Sequence, residues 1–417
     1  MRRISRRRLL ALLLVIGPGI ITSAADNDAG GITTYSVAGA RYGYNMLWAI
    51  VLITFVLMIV QEMSARMGAV TQKGLGELIR EEFGVSWTLF ALIILLIANL
   101  ATTIAEFAGI AASLEIFGIT RYIAVPAAAV AVWFLVVRGN YKTVERVFLA
   151  LALLYGTYIV SGVLAGPNWR DVGMAIIKPT IPMGRELKDY TFLLIAVIGT
   201  TITPWMQFFL QASVVDKGID IKHYNFQKID VIVGSILTDV VSFFIIVAAA
   251  VTIFHTNAKI SEAADLAKAL EPLAGSLATA IFAVGLLAAS LLAAAVLPLS
   301  TAYTFTEAFG FEIGISRKLK EAPAFYGIYT SAILVGAGVA LLPGFNPLHA
   351  MVWSQAVNGI LLPVILFFML KLINNRDIMG EYVNSKWYNA VVWVTFASLI
   401  SFSLIVFAAT LFPSLVE

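Results

Sequence analysis

The chain has 417 residues, 60% of them hydrophobic and 13% charged, with a net charge of +3 and no cysteine. Soluble domains carry about 25% charged residues, so this composition, with its repeated apolar runs, describes a polytopic membrane protein and speaks against a nucleic-acid binder. Without cysteine there is no disulfide, thiolate metal site or cysteine nucleophile. No nucleotide-binding loop, nucleophile triad or heme motif occurs either, which points away from an enzyme.

Residues 1–25, "MRRISRRRLLALLLVIGPGIITSAA", read basic, then apolar, then Ala-rich, like an export signal. The further apolar runs argue instead that this stretch begins the first of several membrane segments. Eleven spans follow from the hydropathy pattern: 9–41 (interrupted), 44–69, 86–117, 121–138, 142–165, 188–215 (interrupted), 226–254, 274–308, 323–343, 347–373 and 387–412. Short amphipathic linkers are expected at 74–83 and 260–272. No polar block is long enough for a soluble domain.

With the N-terminus in the cytoplasm, 20 of the 28 Lys and Arg fall in cytoplasmic segments and 8 on the opposite side. Basic residues are retained on the cytoplasmic side. The bias therefore supports this orientation, with a prokaryotic plasma membrane as the expected location. An error of one span would scramble the alternation.

Two spans are interrupted. The first carries "SAADNDAGG" (23–31), with Asp26 and Asp28 in the middle of an apolar run. The sixth carries "GTTITPW" (199–205), where Pro204 lacks a backbone donor and threonines crowd the turn. They occupy matching positions in two five-helix units. Broken helices at matching positions indicate inverted repeats around a midplane site. The expected architecture is an all-α membrane protein of the LeuT type, one transmembrane domain over 1–417. Repeat 1 covers about 9–165, repeat 2 about 188–373, and an extra helix about 387–412.

Non-helical backbone survives at membrane depth only where it lines a polar cavity or is buried in protein. Unwound carbonyls, the ends of half-helices and the charge of Asp28 together make a cation site. Plainer roles stand beside this one. Asp28 could simply cap the second half-helix, Gly30 and Gly31 could relieve close packing, and Pro204 could be an ordinary kink. Asp26 could line a vestibule or pair with a basic residue.

These stretches resemble the Nramp family of divalent-metal transporters. Gly17-Pro18-Gly19 and Asp28-Ala29-Gly30-Gly31 fall at that family's first-helix motifs, and Thr200-Thr201-Ile202-Thr203-Pro204-Trp205 at its sixth-helix motif. "IAEFAG" (104–109), "ERVFLAL" (145–151) and "WSQ" (353–355) continue the similarity in order. The resemblance implies a LeuT-type fold and metal ligation at Asp28, Gly31, Thr200, Thr203 and Gln355. Two side-chain ligands of the family pattern are replaced: its amide by Gly31 and its methionine by Thr203.

Without the thioether only oxygen donors remain, and these suit hard ions over softer transition metals. Mg2+ takes oxygen ligands and usually keeps several waters, which fits an enlarged site. The pattern looks like the Nramp-related magnesium transporters, and implies uptake chiefly of Mg2+, with Mn2+ also carried. The divalent metal is then substrate, and no cofactor is implied. The expected partners are divalent ions and the lipid bilayer, not nucleic acid, and the expected oligomeric state is a monomer.

Positions where proton-coupled members carry titratable groups hold Thr103 and Trp205, and span 9 has no basic residue; only Glu106 remains. His223, His255 and His349 fall at loops or span ends. Transport uncoupled from protons is therefore expected. Glu106 reads as a protonated or hydrogen-bonded buried acid, Asp239 as packed against a helix hydroxyl, and Asp230 as lying near the cytoplasmic end. A proton-coupled Mn2+/Fe2+ importer is the alternative within the fold. An amino-acid transporter of the same fold is disfavoured by the charge of Asp28, and a channel by the paired breaks.

Overall fold

A computed structural model describes residues 18–138, 156–182, 185–254, 265–266, 276–312, 314 and 317–411. The first residues of span 1, the 145–151 motif, His255 and most of the 260–272 linker lie outside these. The described chain is helical, and no strand occurs among the described residues.

Span 1 is two helices, α1 (Pro18–Asp26) and α2 (Ala29–Tyr42), with a break at Asn27 and Asp28. A 3-10 turn leads into α3 (Leu47–Thr71). The expected linker and span 3 merge in α4 (Leu75–Glu115), which kinks at Gly84. That residue has φ 77°, a conformation glycine adopts without strain. There follow α5 (Arg121–Arg138), α6 (Gly156–Leu164) and α7 (Trp169–Ile177). The short α7 is not foreseen by hydropathy, because nine residues cannot cross a bilayer. It is capped by the Asn168 side chain, which accepts from the Arg170 amide.

Span 6 is α8 (Arg185–Thr201) and α9 (Pro204–Asp216). Then come α10 (Tyr224–Thr252), α11 (Ser276–Phe309), α12 (Pro323–Ala340), α13 (Pro347–Asn374) and α14 (Lys386–Leu411). Among the described residues, nine helical runs are long and apolar enough to cross a membrane; α2 and α3 count as one of these.

The long helices pack around the two broken ones. α4 lies against α11 and α13, while α10 lies against α1, α2 and α3. The Ala-rich run of α11 is buried from Leu292 to Leu297, which permits the close approach to α4. Outward faces are apolar, as at Leu52, Phe134 and Val394, each more than half exposed, which suits a surface meeting lipid.

Loops assigned to one side of the membrane by the charge count do meet. Gln72 donates to the Ile219 carbonyl (2.9 Å), Arg80 to that of Ala308 (2.5 Å), and Asn375 to the Glu82 carboxylate (2.9 Å). At the other end Tyr190 donates to the Asn45 carbonyl (3.3 Å) and Arg121 to that of Phe345 (3.3 Å). The segment before α14 is tied to α3 by Arg66, which pairs with Glu62 (3.3 Å). Arg66 also donates to the Tyr382 carbonyl (3.0 Å) and to the Asn384 side chain.

Candidate cation site between the broken helices

The first break is held by hydrogen bonds on every side. At the opposite end of α1 from the break, where the helix begins and its amides lack helical partners, the Asp230 carboxylate accepts from the Gly19 amide (2.6 Å). Asp230 is thus buried and bonded to α1. Its place in the sequence pointed to a helix end, and the unpaired amide of α1 explains why a carboxylate is tolerated there. At the break itself Asn27 is clamped to α10. Its amide nitrogen donates to the Thr238 carbonyl (3.1 Å) and hydroxyl (3.0 Å), and its oxygen accepts from Ser242 (2.9 Å).

Asp28 is the N-cap of α2, and its carboxylate accepts from the Gly31 amide (2.5 Å). The capping role and the ligand role are therefore compatible, since a capping carboxylate keeps acceptor capacity on both oxygens. The Ala29 amide goes to Glu106 of α4 (3.0 Å). Glu106 is thus a buried acid bonded to the first break.

Gln355 of α13 donates to both Asp28 oxygens (3.2 and 3.1 Å) and accepts from Asn358 (2.9 Å). To present its own oxygen to a cation, its amide must turn over and exchange these bonds. Gly30 is required beneath it, because a Cβ there would overlap the Gln355 side chain.

The sixth-span break supplies neutral oxygens. Thr203 is the N-cap of α9 in extended conformation, but its side chain makes no capping bond, and Pro204 at N1 has no backbone amide to donate. The Thr200 and Thr203 hydroxyls are buried and have no hydrogen-bond partner among the described residues. Thr201 differs from its neighbours, being bonded to its own helix at Val197 (2.8 Å) and to Tyr35 (2.8 Å).

The two breaks meet at Gly31. A Cβ built there would stand 2.8 Å from the Thr200 hydroxyl, 3.1 Å from the Asp26 carbonyl and 3.1 Å from an Asp28 carboxylate oxygen. Three oxygens of three residues thus converge on space that only glycine leaves open. Asp28, Thr200, Thr203 and Gln355 are each at most 1% exposed, so the site is shut from both sides. The Asp26 carbonyl is a contributor that residue identity did not reveal; its signal is the position just before the break.

Met206 and Met351, the methionines nearest in sequence on α9 and α13, take bonds from Gln61 and Thr33. Among the described residues no group of three or more His, Cys, Asp or Glu side chains is arranged to hold a metal. A cation here would depend on carbonyls, hydroxyls and an amide beside the Asp28 charge, a hard and weakly ligating set.

Asp239 packs beside a helix hydroxyl, that of Thr54 on α3. Thr54 donates its one proton to the Ile50 carbonyl (2.7 Å), and both Asp239 oxygens lack a hydrogen-bond donor among the described residues. Glu106 comes within hydrogen-bonding reach of Asp28, and Asp26 within charge interaction of Asp28 and Asp239. Titratable acids are thus gathered in one buried region. His223 and His349 are exposed, the former bonded to Asp220 (2.8 Å).

Two broken helices facing one another around a buried oxygen-lined site are the arrangement of a LeuT-type fold. The family described as Natural resistance-associated macrophage protein-like, or Nramp, matches residues 19–409, and the chain belongs to that family. It is 28% identical to a divalent metal cation transporter MntH of Klebsiella pneumoniae, over 96% of this chain and 94% of the relative. With the protein of the same name from Deinococcus radiodurans it shares 29% identity, over 93% and 87%. The fold superposes on an Eremococcus coleocola manganese transporter with a TM-score of 0.75 at 19% identity, covering 97% of this chain and 88% of that one. A Na+-coupled sialic acid symporter follows at 0.63 and 12%, covering 97% and 93%.

Proposed function

We propose that this chain carries divalent cations across a cell membrane by alternating access, through a site built from Asp28, Gly31, Thr200, Thr203 and Gln355. The observation that carries this reading is the convergence of the Asp28, Asp26 and Thr200 oxygens on the space above Gly31. A full charge and neutral hard donors, out of contact with solvent, suit a divalent ion and repel a substrate carboxylate. The metal is cargo, and the bacterial relatives favour a plasma membrane as its location. Repeat 1 over about 9–165 and repeat 2 over about 188–373 supply one break each.

Mn2+ is the cargo that the relatives favour, since they bear the names of divalent metal and manganese transporters. A second reading, preference for Mg2+, is favoured by one specific observation: Gly31 and Thr203 leave the site without amide or thioether at those positions. Proteoliposomes loaded with a metal-sensitive dye and a pH dye separate the cases. Saturable Mn2+ entry abolished by Asp28→Ala supports the central reading, and undiminished entry in that variant refutes it. Mg2+ entry exceeding Mn2+ entry supports the second reading. Luminal acidification in step with metal entry identifies proton-coupled import; its absence identifies facilitated transport.

A further inference from the structure

The Asp28 site leaves two acids beside it without a role. Asp26, ending α1, is 1% exposed, and Asp239 of α10 is 3% exposed. All four of their carboxylate oxygens lack a hydrogen-bond donor among the described residues. The two charges are close enough to repel one another. Burying an uncompensated carboxylate costs several kcal/mol, so a pair left this way calls for a positive partner.

The surroundings hold the pair in place and withhold donors from it. Asn27 lashes the break to Thr238 and Ser242, which fixes Asp239, the next residue after Thr238, near Asp26. The neighbouring hydroxyls are committed elsewhere, Thr54 to Ile50 and Tyr35 to Thr201. The Thr203 hydroxyl lies beside the Asp26 carboxylate, is fully buried, and has no other hydrogen-bond partner among the described residues. Two carboxylates and one uncommitted hydroxyl therefore present hard oxygens to a common region.

We propose that Asp26, Asp239 and Thr203 form a second cation subsite adjoining the Asp28 site, taking the same class of hard divalent ion. The proposal rests on the reading of Asp28 as the first site. Oxygen donors of this kind hold Mn2+ or Mg2+ and offer nothing to a soft metal. Asp26 belongs to both positions, with its carbonyl at the first and its carboxylate at the second.

Titration calorimetry with MnCl2 on the purified full chain tests this. The wild type is expected to bind two Mn2+ per chain, and Asp239→Asn and Asp26→Asn one each. Paramagnetic resonance of the wild type, which needs no variant to fold, should show dipolar broadening as the second equivalent is added. A wild-type stoichiometry of one, or of two in both asparagine variants, overturns the proposal. Loss of an ion in Asp28→Asn alone removes the second subsite and leaves the first standing. Unchanged binding in Asp28→Asn refutes the Asp28 site, and this proposal with it.

Discussion

The two helix breaks solve one problem in opposite ways. In the first span the interruption is acidic and closed. Asp28 caps α2, Glu106 receives the Ala29 amide, and Asn27 is bonded to α10 from both ends of its side chain. In the sixth span the interruption is neutral and open. Pro204 removes an amide instead of satisfying it, and the Thr200 and Thr203 hydroxyls are left without partners. The first break supplies a fixed charge in a rigid frame, and the second supplies uncommitted dipoles. A cation site needs both, since a charge recruits the ion and spare oxygens replace part of its water.

The largest expected effect falls on the charged side of this contrast. Asp28→Ala should abolish Mn2+ uptake into proteoliposomes. The loss of a direct ligand should exceed the roughly 10- to 100-fold typical of a ligand's hydrogen-bonding partners. If Asp28→Ala and Thr200→Ala reduce uptake equally, the division of labour between the breaks is wrong.

Next comes the space that glycine keeps open. Gly30→Ala drives a Cβ into Gln355, and should lower stability by about 1–3 kcal/mol, as overpacking does. Thermal unfolding in detergent measures this, and an unshifted midpoint would show that Gln355 is free to swing away.

Glu106 tests whether the first break depends on an acceptor or on a charge. Glu106→Gln still accepts from the Ala29 amide and should unfold near the wild-type temperature. Glu106→Ala leaves that amide unsatisfied, at about 1–3 kcal/mol. Equal destabilisation in both variants would mean that the charge itself matters.

Thr203→Met probes the open break. Restoring a thioether should raise the Cd2+-to-Mg2+ uptake ratio by about tenfold, or ~1.4 kcal/mol. An unchanged ratio would place Thr203 away from the ion. The smallest effect is expected at the exposed His223, whose bond to Asp220 lies far from both breaks in the fold. His223→Ala should leave uptake as it is.

Much of this was legible in the chain. Apolar runs of membrane length, the charge alternation between them, and the two polar interruptions are local features, and the loops assigned to one face do meet. Asp28, Thr200, Thr203 and Gln355 were all placed by motif. The bonding of the acids was not legible. Asp239 reads like any acid beside hydroxyls, and only the placement of Thr54 shows that its proton is already committed to Ile50. Asp230 is bonded to a residue 211 positions away, a pairing that no local pattern encodes.

The sequence by itself determined that the protein crosses a membrane many times and breaks two helices at depth, with one break charged and neither offering sulfur. Hydropathy and backbone chemistry act over a few residues, so these features are fixed before folding. The tertiary structure alone decided that the two breaks meet above Gly31, that the Asp26 carbonyl joins them, and that Asp26 and Asp239 stand together without donors. Those facts depend on which helices approach and where each hydroxyl sends its single proton, and both are set by packing between segments far apart in the chain.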